Sequence, residues 1–434
     1  MSHAQKVAFA LLAVIGATAC VRAPGPVATT PAAVAPRVKP GITVLLEDSI
    51  HLIRGKRIGL ITNHTGIDGS GVSDIDLLHS GERARAAGVV VAALFAPEHG
   101  IRGTEDRTDL ANDRDERTGL VIHSLYGANT VAPPDSTLAG IDVLVIDLQD
   151  IGTRTWTYVG LVVYSMRAAA RNRIPILVLD RPNPIGGVRR DAPMLDSAIA
   201  NPDDNAPGRR GQAYALWPFP LRHGMTMGEM ALFFNSTLSL GADLHVVPMA
   251  GWRRSMYFDE TGLPWVKPSP NMPTLASAIV YPALVPYEGS NLSVGRGTPE
   301  SFQKFGAPWL DGVAVAKLLN DRELPGVRFD AERFTPIAPP DRKYGGTEIG
   351  GVRIVVLDRE RAAMGRVSAA ILWAVNRLHS DSLVIRGPTF DHRFGTARAR
   401  EALLRGDDPD SVVDREVPAV VEFEQRARKF LIYR

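Results

Sequence analysis

The apolar run Val89–Ala96 breaks off at Pro97, Glu98 and His99, so a carboxyl group and an imidazole follow directly on a stretch that reads as a buried strand. Three other segments share this plan. RIGLITNH (57–64) ends in His64, IDVLVIDLQD (141–150) in Asp147 and Asp150, and IPILVLDRPN (174–183) in Asp180, Arg181 and Asn183. Arg102, Arg154 and Tyr158 lie a few residues beyond two of these ends. Carboxyl and imidazole groups can give and take protons, and guanidinium groups hold anionic or polar parts of a substrate in place. A second concentration comes later. YEGSNLSVGRGT (287–298) carries Glu288, Asn291 and Arg296, and its Gly-Arg-Gly lets the backbone pass close to a ligand while one guanidinium reaches an anion. PLRHG (220–224) adds His223 at a helix start, and PSPNMP (268–273) adds Asn271.

These groups can act together only if the chain brings them to one edge. The four apolar runs alternate with segments that can form helices, which predicts an α/β fold: a Rossmann-like, mostly parallel sheet with helices on both faces. In such sheets ligands bind outside the carboxyl ends of the strands, where all four polar tips would meet. Ser73 with Asp76 has the spacing of a capping box, Trp156–Asn172 has helical length, and Thr226 with Glu229 forms a second capping box. Ala242–Met249 reads as another strand. Met249–Pro273, rich in Trp, Pro and Gly, reads as extended, with Trp252 and Trp265 either plugging the core or offering a flat face to a pyranose ring. Beyond Asp311 the pattern is mixed. A helix near Ala314–Leu319, a strand Val352–Leu357, a helix near Ala363–Leu378 and a charged helix near Pro418–Phe430 predict a smaller α+β domain. The expected division is 41–250 for the Rossmann-like catalytic domain and 251–434 for the C-terminal domain that closes the cleft.

With 434 residues and 45% hydrophobic content the chain can bury a large core, and 49 basic against 47 acidic residues leave no electrostatic footprint for nucleic acid. Residues 1–20 have the pattern of a signal peptide. They end in Cys20, the only cysteine, placed as in a bacterial lipobox, and 21–40 form a Pro-rich tether. The expectation is an exported, periplasmic or cell-surface protein that touches a membrane only through a lipid on Cys20. No GxGxxG or P-loop follows any strand, and there is no HExxH, no clustered histidine and no GxSxG elbow. No cofactor and no metal are therefore expected.

LITNHTG (60–66), LFAPEHGIRG (94–103), VIDLQDIGTRTWTY (145–158), LDRPNPIGG (179–187), RHGMTMGE (222–229), PSPNMPT (268–274) and EGSNLSVGRGT (288–298), in this order, resemble the NamZ-type exo-β-N-acetylmuramidases. The resemblance spans roughly residue 41 to the C-terminus. It implies a Rossmann-like domain, a smaller C-terminal domain and a cleft between them. It also implies release of N-acetylmuramic acid from the non-reducing ends of peptidoglycan fragments containing MurNAc-GlcNAc, with Glu98 as the catalytic acid. Glycoside hydrolysis needs a second group at the anomeric carbon, and here Asp150, Glu288 and the substrate's own acetamido group all stand open. Arg102, Arg181 and Arg296 are candidates for holding the lactyl carboxylate of the muramyl sugar. The competing reading is a tethered glycan-binding lipoprotein that keeps the cleft without turnover. Hydrolysis of another bond, such as an ester, is a weaker third.

Overall fold

Strands β1 (Arg57–Thr62), β2 (Val90–Ala96), β5 (Val143–Asp147) and β6 (Ile176–Leu179) are the four apolar runs, and they lie side by side. With β3 (Asp113–Arg114), β4 (Val121–Ser124) and β9 (Leu244–Val247) they form a seven-stranded sheet of order β3-β4-β2-β1-β5-β6-β9. Every pairing is parallel except that of β3 with β4. The computed structural model describes residues 38–98, 101, 113–125, 132–200 and 215–434, so the expectations for Cys20, His99 and Arg102 lie outside the described residues.

Alternate residues of the central strands enter different cores, as the two-residue period of a strand requires. Ile58, Leu60, Val91, Leu94, Val143 and Val145 pack on one face beneath helices Gly41–Glu47, Asp74–His79 and Glu82–Ala86. Ile61, Phe95, Leu144, Ile146 and Val178 pack on the other beneath helices Tyr158–Asn172 and Met227–Thr237. Each such fully buried side chain contributes about 1.5–3 kcal/mol. A sheet covered on both faces leaves only its edges and strand ends to solvent.

The helix starts follow their caps. Thr226 Oγ1 accepts from Glu229 N–H at 3.3 Å and Glu229 accepts from Thr226 N–H at 3.1 Å, which is the full capping box. At Ser73 only half of the expected box forms. Ser73 accepts from Ile75 N–H, but Asp76 turns away to pair with Arg117 at 2.9 Å. Aspartate is one methylene shorter than the glutamate of a full box.

The C-terminal part holds a three-stranded antiparallel sheet, β10 (Lys304–Ala307), β12 (Ile349–Val356) and β11 (Val327–Phe334) in that order. The expected strand at 352–357 falls in β12, and helices Met364–His379 and Val417–Ala427 match the two later helical expectations. Phe305, Val352, Phe394 and Phe423 belong to the same apolar cluster as Phe95 and Ile146, so both parts share a core. Residues 36–434 accordingly form one unit. The short ribbon β7 (Asp191–Met194) with β8 (Pro220–Arg222) joins them. Of the two tryptophans, Trp252 is buried edge-on against Tyr433, a core plug. Trp265 is half-buried against Phe258 and donates to Pro273 O.

Candidate functional site

Glu98 sits at the carboxyl end of β2, half-buried. β2 and β5 flank β1, so the end of β2, the end of β1 and the segment after β5 meet at one point. Thr157 Oγ1 donates to Glu98 Oε2 at 2.8 Å, and the Tyr158 hydroxyl donates to the Glu98 main-chain oxygen at 3.3 Å. Asn63, just past β1, donates to the Tyr158 hydroxyl at 2.8 Å. Tyr158 was expected at the site. Thr157 and Asn63 were not, although Thr157 stands directly before the first residue of a helix, where a threonine normally serves as cap.

A wall of rings leads from this point toward the second carboxyl. Trp156 meets Tyr158 edge-on at 5.4 Å and Tyr281 at 6.4 Å, and Tyr281 meets Phe302 at 4.7 Å. The Arg296 guanidinium lies over Phe302 and is ion-paired with Glu288. Arg393 Nε donates to the other Glu288 oxygen at 3.0 Å. Burial pushes the Glu288 carboxyl up, but Arg296 and Arg393 outweigh it and hold the group below the usual carboxylate range, in its ionised form. Lys343 braces the turn by donating to Tyr287 O at 3.2 Å and Leu292 O at 2.8 Å, and burial brings its ammonium down to about 8. The sequence marked Glu288 and Arg296 together. Arg393 and Lys343 carry no local signal, since only the tertiary fold delivers them.

The third candidate carboxyl faces inward. Asp150 accepts from Gly152 N–H at 2.6 Å, and the same oxygen stands 3.2 Å from His223 Nε2. His223 Nδ1 accepts from Met225 N–H at 3.2 Å. The Asp150 side chain is 3% exposed against 16% for Glu288, so of these two Glu288 is the one that can meet a solvated substrate.

Several other expected residues are held by the fold itself. Asp180 accepts from Thr226 Oγ1, Gly228 N–H and the Tyr433 hydroxyl, which ties the sheet edge to helix Met227–Thr237 and to the chain end. Burial raises it to about 6. Arg181 is ion-paired with buried Asp147 and donates to Ile67 O. Asp74 lies against this pair. Burial, and then the Asp147 charge, push the Asp74 carboxyl well up. Gly66 has no room for a Cβ, which would overlap Asp74 and Thr62. Asn183 spans Met225 O and Ile185 N–H. Arg154 donates to Phe219 O at 2.9 Å and Arg393 O at 2.7 Å, bracing the helix that carries Arg393. Asn291 clamps Ser382 O and Val384 N–H. His64 Nε2 lies 2.6 Å from Lys267 O, which joins the end of β1 to the segment containing Asn271, and Asn271 is buried in a turn closed by Ser269. The strand ends thus supply Glu98 with a rigid seat and use most of their other polar groups to build that seat.

The comparisons with known proteins cover this whole assembly. The N-terminal model of exo-β-N-acetylmuramidase NamZ matches residues 58–276, and its C-terminal model matches residues 279–433. The chain is 38% identical over 400 residues to the peptidoglycan β-N-acetylmuramidase NamZ of Bacillus subtilis (strain 168), covering 92% of each. Two crystal structures of DUF1343-family proteins from Bacteroides fragilis share the fold. One has a TM-score of 0.81 at 34% identity and the other 0.69 at 27%, each covering 92% of this chain and 99% of the other.

Proposed function

Because the chain belongs to the exo-β-N-acetylmuramidase NamZ family, we propose that it acts on peptidoglycan fragments as its relative's name describes, with Glu98 as the general acid. It is a glycosidase of the cell wall. It cleaves the terminal N-acetylmuramic acid from the non-reducing end of MurNAc-GlcNAc fragments. The observation that carries the assignment of the acid is the contrast among three carboxyls. Glu288 has both oxygens on guanidinium groups and stays ionised, and Asp150 is enclosed against His223. Glu98 remains, half-buried at a strand end with a hydroxyl donor on Oε2.

In this account Glu98 protonates the glycosidic oxygen as the bond to the anomeric carbon breaks. Glu288, fixed as a carboxylate at the far end of the ring wall, supplies negative charge for the positive charge that develops on the sugar. The test uses fragments capped by either MurNAc or GlcNAc at the non-reducing end. The wild type releases free MurNAc from the first alone, and Glu98→Gln releases it about 100- to 10,000-fold more slowly. Internal cleavage, or full release by the variant, counts against the proposal.

The N-terminus completes it. A lipid on Cys20 tethers the enzyme to an envelope membrane, with the Pro-rich stretch holding it off the surface. Labelled palmitate entering the wild type but not Cys20→Ala, with release of the variant into the soluble fraction, is the expected result. Equal labelling of both would remove the anchor.

A further inference from the structure

Thr157 occupies the N-cap position of helix Tyr158–Asn172, yet its side chain makes no cap bond. Threonine is a favoured cap because its oxygen accepts a backbone N–H of the first turn. Here the residue has helical angles, φ −68° and ψ −18°, and its hydroxyl donates to Glu98 Oε2 instead. The local stabilisation that the sequence offers is forgone in favour of one bond to one carboxyl oxygen.

That bond belongs to a two-point mount. The next residue, Tyr158, donates to the main-chain oxygen of the same glutamate, and Tyr158 is itself held by Asn63, whose Oδ1 accepts Thr65 N–H at 2.9 Å and Thr65 Oγ1 at 2.6 Å. Tyr158 and Asn63 are each 1% exposed, and Trp156 packs edge-on against Tyr158. Residues 157 and 158 therefore fix both the backbone and the carboxyl plane of Glu98 from one rigid helix start.

From this geometry we infer that Thr157 is the positioning residue of the acid. The inference rests on the reading of Glu98 as proton donor. A hydroxyl that donates to Oε2 fixes how the carboxyl group stands at the strand end, so Thr157 sets the direction from which the proton is delivered. In the step, the carboxyl O–H bond of Glu98 breaks and its electron pair stays on Glu98 as carboxylate charge; the proton passes to the glycosidic oxygen, which keeps the electron pair of its broken bond to the anomeric carbon, and water takes its place at that carbon and releases its other proton to solvent. The Thr157 hydrogen bond strengthens as that charge appears, because a bond to an ionised acceptor is stronger than one to a neutral acceptor. Its contribution is therefore larger in the transition state than in the bound substrate, and it falls on kcat rather than on KM.

The test compares Thr157→Val, which removes the hydroxyl at nearly constant shape, with Thr157→Ser, which keeps it, and with Thr157→Ala. Glu98→Gln is assayed beside them on an unactivated MurNAc-GlcNAc disaccharide. Thr157→Val should lower kcat by about 10- to 100-fold with KM within about threefold of wild type. Thr157→Ser should recover most of the loss. The deficit of Thr157→Val should shrink on a 4-nitrophenyl β-muramide, whose leaving group needs little protonation. Wild-type kcat in Thr157→Val, or an equal loss in the Val and Ser variants, overturns the inference, as does a deficit of the same size on both substrates. Thr157→Ala decides the matter in the same way if the Val variant does not fold. Full activity of Glu98→Gln on the disaccharide would instead remove the reading beneath it, so the two failures are distinct.

Discussion

Replacing Arg181 by methionine tests whether this strand-end cation serves the fold or the ligand. Arg181 is 4% exposed, and its guanidinium neutralises Asp147, which is wholly buried. Burial and the Asp147 charge push the neighbouring Asp74 carboxyl well up, so the guanidinium is set chiefly against Asp147. Methionine fills similar volume and leaves Asp147 as an unpaired buried charge, which costs about 3–5 kcal/mol. Unfolding entropy of about 2.1 cal/mol/K per residue, over the roughly 400 residues of the folded unit, gives roughly 0.8 kcal/mol per degree. The melting temperature should therefore fall by about 4–6 °C at pH 7.5. The loss should shrink at pH 5. An unpaired Asp147 binds a proton more tightly in the folded than in the unfolded chain, so lowering the pH favours the folded state. Adding Asp147→Asn should restore more than half of the loss. Calorimetry at both pH values, with KM measured on the folded enzyme, decides the point. An unchanged melting temperature together with a raised KM would show that Arg181 faces the substrate and that the structural assignment is wrong.

Asp180 gives a pH signature of its own. Its folded value, raised to about 6 by burial, exceeds the ordinary 3.8, so the folded chain binds the extra proton and stability is lost as pH rises from about 4 to 6. The change amounts to about 3 kcal/mol, and urea unfolding of Asp180→Asn should lack that part of the slope. At the second carboxyl, Arg393→Met removes one of the two cations that hold Glu288 ionised. The acid limb of the kcat/KM profile should move to higher pH, and an unmoved limb would take Glu288 out of the reaction.

The sheet was legible because strands buried on both faces are written as continuous apolar runs, and the change from Ala96 to Pro97 and Glu98 marks a strand end without ambiguity. β11 was not foreseen, since VRFDAERF has one exposed face and reads as polar chain. The site was legible in part. Glu288 and Arg296 lie eight residues apart on one loop, but Glu288 and Arg393 are 105 apart and nothing local connects them. Nor does a strand-end polar residue announce which way it faces. Asp180 holds Thr226, the cap residue of a helix 46 residues further on, and the same aspartate at the same strand end could as well have bound a ligand. Thr157 shows the reverse case, a residue with the composition of a helix cap that the fold turns toward Glu98.

The central claim, that Glu98 donates the proton to the departing sugar, is tested most directly by the leaving-group dependence of Glu98→Gln. A general acid contributes about 100- to 10,000-fold where the leaving oxygen needs a proton, and little where it does not. The variant should therefore lose activity in that range on MurNAc-GlcNAc and less than about tenfold on a 4-nitrophenyl β-muramide. Equal losses on both substrates, or undiminished cleavage of the disaccharide, would contradict the account.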